Sequence, residues 1–155
     1  MLLSLLRHAE AVAHATNDAE RELTPKGVEQ ARRVGEFLRA HGGRIDAILS
    51  SPFKRAEQTA RIAAEKIGVR VTMENFLASG MAPQHALEGL ARYSTLAHVM
   101  IVGHEPDFGE LAAALMGLSS GARLHLRKAS LTTLALDKLQ PGSATLEHSI
   151  PAALM

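Results

Sequence analysis

The chain has 155 residues, of which 46% are hydrophobic and 21% charged, and it contains no cysteine. This reads as one domain, residues 1–155, large enough for a packed core, and it excludes a disulfide framework, a thiolate metal site and a disordered or collagen-like chain. Seventeen Lys and Arg oppose sixteen Asp and Glu for a net charge of +1, with only four Phe and one Tyr, too weakly basic and too poor in stacking rings for a nucleic-acid binder. No apolar run approaches the ~20 residues of a bilayer span. Arg7 also cuts the opening Met1–Leu6 run short of a signal peptide's apolar region. The expected setting is the cytoplasm, with no membrane partner.

Met1–Leu6 reads as a buried strand. Thr24-Pro25 then supplies an N-cap and a first-turn proline, Val28, Ala31, Val34 and Leu38 recur at helical spacing, and Gly42-Gly43 ends the helix. Gly27, in the first turn, costs about 1 kcal/mol against alanine and points to a close backbone approach. The same grammar repeats. A strand is predicted over Ile45–Ser50, a helix opens at Ser51-Pro52 and carries Ala56, Ala60, Ala63 and Ile67, and Gly68 precedes a short strand from Val69. A further helix is predicted over Pro83–Tyr93. Val99–Val102 is the strongest strand signal, Glu105-Pro106 opens a helix through Phe108 and Leu115, and Gly117 closes it. Leu131–Leu136 and Ala144–Ile150 read as an antiparallel hairpin turned at Pro141-Gly142, and Pro151–Met155 as a loose tail. His85 and His98 have no evident partner in the sequence.

Strand–helix alternation of this kind predicts an α/β three-layer sandwich, with a mostly parallel central sheet and helices on both faces. Ligands of such sheets bind beyond the carboxyl ends of the strands. Those ends carry Arg7-His8-Ala9-Glu10, then Ser50 to Arg55, then Gly103-His104-Glu105-Pro106. Three separate segments thus deliver cations and imidazoles to one edge. Arg55 is expected as the fourth helical residue, with side chains leaning back over the strand ends; otherwise it is a surface residue paired with Glu57 or Glu65. Arginine forks and helix N-termini suit a phosphoryl group, and a neutral histidine held through one ring nitrogen suits a nucleophile. Arg7 and Arg55 beside His8 would lower its pKa and keep it neutral.

These residues resemble a known pattern. Arg7-His8-Ala9 is similar to the Arg-His-Gly signature of the histidine phosphatase (phosphoglycerate-mutase-like) superfamily. The resemblance runs on through Leu23-Thr24-Pro25-Lys26-Gly27, Ser51-Pro52-Phe53-Lys54-Arg55-Ala56-Glu57-Gln58-Thr59 and Gly103-His104. The short length and the Ser-Pro-Phe run resemble the SixA-type protein histidine phosphatases. The resemblance implies a phosphoglycerate-mutase-like fold and His8 as the nucleophile that becomes phosphorylated. It implies Arg7, Arg55 and His104 around the phosphoryl group and Arg21 as a further substrate contact. No metal or cofactor is implied, and inorganic phosphate is the product.

Where larger members carry a glutamate proton donor, this chain has Ala78 and Ser79. Loss of such a donor costs about 10²–10⁴-fold when an alkoxide must leave, whereas a phosphohistidine expels imidazole. Hydrolysis of phosphohistidine on a protein is therefore the expected activity. The alternatives are a small-molecule phosphomonoester phosphatase using Glu10, Glu74 or Glu105 as acid, a metal hydrolase built on His8, Glu10, His14, His104 and Asp107, and a non-catalytic phosphohistidine-binding module. Arg123, His125, Arg127 and Lys128 form a basic cluster expected to be a solvated edge or a rim that meets an acidic partner.

Overall fold

A computed structural model describes all 155 residues. Six strands, β1 (Leu2–Arg7), β2 (Ala47–Ser50), β3 (Val71–Met73), β4 (His98–Gly103), β5 (Leu131–Leu136) and β6 (Ala144–Ile150), form one sheet in the order β3-β2-β4-β1-β5-β6. Strands β1 to β4 are mutually parallel, while β5 runs antiparallel to β1 and β6 antiparallel to β5. The helices are α1 (Pro25–His41), α2 (Lys54–Glu65), α3 (Pro83–Leu90) and α4 (Asp107–Met116).

Chirality distributes the helices. The steps β1→β2 and β2→β3 travel one way across the sheet, so right-handed crossovers put α1 and α2 on one face; the return step β3→β4 puts α3 on the other. Side-chain alternation then divides the core in two. Met100 and Val102 pack with Ala31, Val34 and Ala60 under α1 and α2. Val99 and Ile101 pack with Leu87, Leu90, Phe108 and Leu111 under α3 and α4. Strand β4 is paired on both edges and buried throughout, which is why its sequence is a continuous apolar run rather than an alternating one. The expected three-layer sandwich is the observed one.

Local differences have local causes. Helix α2 starts at Lys54, because Ser51 Oγ takes the Phe53 N–H at 3.2 Å in a turn that delays the helix, so Arg55 is its second residue rather than its fourth. The C-terminal residues are not a loose tail: Ala152–Leu154 form a 3₁₀ turn whose Ala152 is buried in the core beneath α1. His98, without a partner in the sequence reading, is buried and hydrogen-bonded to Ser4 Oγ at 2.8 Å, which in turn meets Thr133 Oγ1 at 2.8 Å. No helix is long and apolar enough to cross a membrane.

Candidate active site

β1 and β4 are neighbours whose following helices go to opposite faces, so the gap beyond their ends is the topological switch point of the sheet. Arg7 is in register with Gly103, and the His8 N–H donates to the Gly103 carbonyl at 2.9 Å. The two histidines therefore leave adjacent strand ends, and their ring centroids stand 5.3 Å apart. Arg55 reaches the pair from the first turn of α2, its Nε 3.3 Å from His8 Nε2.

Hydrogen bonding sets the chemistry of each ring. His8 Nδ1 lies 2.8 Å from the Ala9 carbonyl, which only accepts, so Nδ1 carries the proton and Nε2 keeps its lone pair. His8 is buried, and its pKa falls to about 4, first through loss of solvation and then through the charges of Arg55, Arg7 and Lys128. Burial thus outweighs the arginines that the sequence reading credited with keeping His8 neutral. His104 is depressed further, to about 3, by burial and then by Arg55 and His8. Its Nε2 meets Ser51 Oγ at 2.8 Å, and Ser51 Oγ already accepts the Phe53 N–H. The network closes when the Ser51 hydroxyl donates to Nε2, which leaves the proton of His104 on Nδ1. His104 Nδ1 and Arg7 Nε are both buried without a protein partner. Two donors without acceptors, beside an imidazole whose Nε2 keeps its lone pair, can receive an oxyanion.

A profile of the histidine phosphatase superfamily (branch 1) matches residues 3–79. The chain is 35% identical over 143 residues to an uncharacterized protein of Picosynechococcus sp., covering 86% of this chain and 84% of that one. It is 29% identical over 128 residues to the phosphohistidine phosphatase SixA homolog of Haemophilus influenzae, covering 76% and 78%. Its fold matches the protein histidine phosphatase SixA solved with tungstate at a TM-score of 0.89 and 23% identity, over 99% of this chain and 98% of that one.

The chain belongs to the histidine phosphatase superfamily.

Within this phosphatase the carboxylates near the strand ends are committed elsewhere. Glu10 pairs with Lys26 at 3.1 Å and accepts from Thr24 Oγ1 at 3.1 Å, which hold its carboxyl below the usual range. Glu74 accepts from Tyr93 and, at 2.9 Å, from Arg92. Glu105 is pushed up by burial and spends Oε2 on the Gly109 N–H at 2.8 Å. Asp107 accepts the amides of Gly80 and Met81 at 2.8 and 3.2 Å, tying down the segment that follows Ala78 and Ser79. No three His, Asp or Glu side chains converge in a metal-binding arrangement. A cavity of about 800 Å³, lined by Phe76, Met81, His85 and Arg92 among others, includes Glu74 but none of Arg7, His8, Arg55 and His104.

Four of the five site residues expected from the sequence thus converge: Arg7, His8, Arg55 and His104. Arg21 is joined to them indirectly. Its Nε donates to the Val12 carbonyl at 2.7 Å and its Nη1 to Asp18 Oδ1 at 2.9 Å. Asp18 was not legible in the sequence as an Arg55 partner, because a separation of 37 residues says nothing about a loop folding onto a helix start; its carboxylate oxygen Oδ2 lies 3.0 Å from Arg55 Nη2. Sequence reading missed Ser51 as the partner of His104. It also missed Thr59, whose hydroxyl donates to the Arg55 carbonyl at 2.6 Å and accepts the Ala9 N–H at 3.0 Å, bolting the His8 loop to α2. The signal for Ser51 and Thr59 was present only as members of a motif.

Proposed function

We propose that this phosphatase hydrolyses phosphohistidine on a protein through a covalent intermediate on His8. In the first step the His8 Nε2 lone pair attacks phosphorus and the P–N bond of the substrate breaks, its electron pair leaving with the imidazole nitrogen. In the second, water attacks phosphorus, the P–Nε2 bond breaks, Nε2 recovers its lone pair, and inorganic phosphate departs as the dihydrogen form, carrying the water's oxygen and both of its protons. Arg7 Nε, Arg55 and His104 Nδ1 meet the charge on the equatorial oxygens.

The commitment of the nearby carboxylates to other partners carries the substrate choice. Glu10, Glu74 and Glu105 each hydrogen-bond to groups other than His8. Asp18, which touches Arg55, is held ionised by Arg21 and Arg55. An alkoxide leaving without an acid forfeits about 10²–10⁴-fold, whereas imidazole leaves without one. The test is turnover of a histidine-phosphorylated protein against a panel of phosphate monoesters, with acid quenching to trap phosphate on the enzyme. The expected result is acid-labile phosphate on His8 and preference for the phosphohistidine. A higher kcat/KM on esters assigns the enzyme to small molecules instead, and turnover by His8→Ala above a few per cent removes the covalent route.

A further inference from the structure

We propose that the exposed segment from Arg123 to Lys128 is a docking shelf for an acidic protein surface carrying the phosphorylated histidine. The proposal rests on the phosphohistidine reading above and adds what the enzyme recognises around the phosphoryl group.

The shelf is fastened to the catalytic strand end. Arg7 Nη1 donates to the Leu126 carbonyl at 2.7 Å, and the Ala129 N–H sits 3.1 and 3.2 Å from the Arg7 and His8 carbonyls. Leu126 and Ala129 are buried as anchors, whereas Arg123, His125, Arg127 and Lys128 are all exposed. A backbone held on both sides of four outward side chains places their charge beside the nucleophile rather than at random on the surface. Lys128 is near enough that its charge helps to depress both His8 and Glu10.

Charge on the shelf is unneutralised. Arg123, Arg127 and Lys128 take part in no ion pair, although other cations do: Lys26 holds Glu10, and Arg21 holds Asp18. Two acids, Glu105 and Glu110, border the shelf and line a hollow with His125 and Leu126, but each spends an oxygen on a neutral donor rather than on a shelf cation. Glu110 Oε1 accepts the Gly121 N–H at 3.1 Å and the Ser120 hydroxyl at 3.3 Å, while Glu105 accepts from Gly109. Unpaired like charges on one short segment repel each other in the free protein, and a partner's carboxylates relieve that repulsion.

Geometry favours a protein over a small polyanion. Two hollows flank the shelf, one of about 390 Å³ walled by Arg7, Pro106 and His125, the other of about 340 Å³ walled by Arg7, Arg127 and Lys128. Both begin at Arg7, so an occupant of either lies against the phosphoryl site. The cations are strung along an exposed chain, where the six residues from Arg123 to Lys128 span at most roughly 20 Å, instead of converging on one enclosed point. A surface with spaced carboxylates meets them together.

The experiment compares the wild type with Arg123→Glu/Arg127→Glu on two substrates: free phosphohistidine and a histidine-phosphorylated protein of net negative charge. Melting curves establish that the variant is folded. At low ionic strength kcat/KM on the acidic phosphoprotein should fall about 10–100-fold, mostly through KM and association rate, and the wild-type advantage should shrink as salt rises. On free phosphohistidine the two enzymes should agree within about twofold, as rim charges steer a partner without touching the reacting atoms. Equal rates on the phosphoprotein would overturn the shelf while leaving the phosphohistidine reading standing. A parallel loss on both substrates would also overturn it, by making these arginines part of the reaction site. Failure of the wild type to turn over free phosphohistidine removes the underlying reading, and the shelf with it.

Discussion

Asp18 holds the outer edge of Arg55 while the inner edge of the same guanidinium faces His8. Arg55 Nη1 donates to the Asp18 carbonyl at 2.7 Å and Nη2 to its carboxylate at 3.0 Å, while Nε points at His8 Nε2. One residue thus supplies two acceptors that fix the plane of the fork. Asp18 is itself steadied by Arg21. Preset orientation of a charged donor is worth most where a transition state must be met without reorganisation.

Asp18→Ala should therefore lower kcat/KM on phosphohistidine about 10-fold or more and weaken inhibition by vanadate, by letting Arg55 swing. Asp18→Asn keeps an acceptor for Nη2 and should fall between the wild type and the alanine variant. A merely structural role would show as a lower melting temperature with normal vanadate affinity, so both are measured.

Ser51 and His104 form a second such pair. His104→Ala should cost about 10²–10³ in kcat/KM, the scale of one lost transition-state donor. Ser51→Ala leaves the ring but removes the hydroxyl that holds the proton on Nδ1, and should cost less. The double variant should be little worse than His104→Ala alone, since the serine acts through the ring. Steady-state kinetics of the three variants on one substrate checks this non-additivity.

Acid should destabilise the protein well above the range of ordinary carboxylates. An unfolded histidine titrates near 6.5, whereas folded His8 and His104 titrate at about 4 and about 3. Between those values and 6.5 the unfolded chain binds protons that the folded chain refuses, so stability rises with pH. Their contribution is complete above pH 6.5 and lost as pH falls through 4 and then 3. His98, also lowered by burial, acts in the same sense, and Glu105, raised by burial, acts in the opposite one. Melting temperatures from pH 7.5 to 4 should fall, and His8→Asn and His104→Asn should each flatten the slope.

Gly27 is the point where α1 touches the His8 loop. A Cβ there would run into the Glu10 carbonyl, which also accepts the Thr24 N–H at 3.0 Å. Gly27→Ala should destabilise by about 1–3 kcal/mol through overpacking, despite the better helix propensity of alanine. Because Glu10 lies two residues beyond His8, activity should drop as well. Urea unfolding and kcat/KM on the same preparation measure both.

The alternation of apolar runs with capped amphipathic stretches was enough to reveal the layers of the fold, since a period of 2 or 3.6 and the Thr24-Pro25 cap are properties of neighbouring residues. The strand-end rule likewise carries Arg7, His8 and His104 to one edge from the sequence alone, because a residue following a strand inherits that strand's direction. What sequence could not supply were the contacts made between distant segments. Asp18 grips Arg55, Ser51 sets the His104 tautomer and Thr59 ties the His8 loop to α2 only because β1, β2 and β4 are brought side by side. The start of α2 at Lys54 and the burial of Ala152 under α1 belong to the same class. The depth of the histidine pKa shifts does too: a chain can be read for the charges near His8, but loss of water, the larger cause, exists only once the two faces of the sheet are covered.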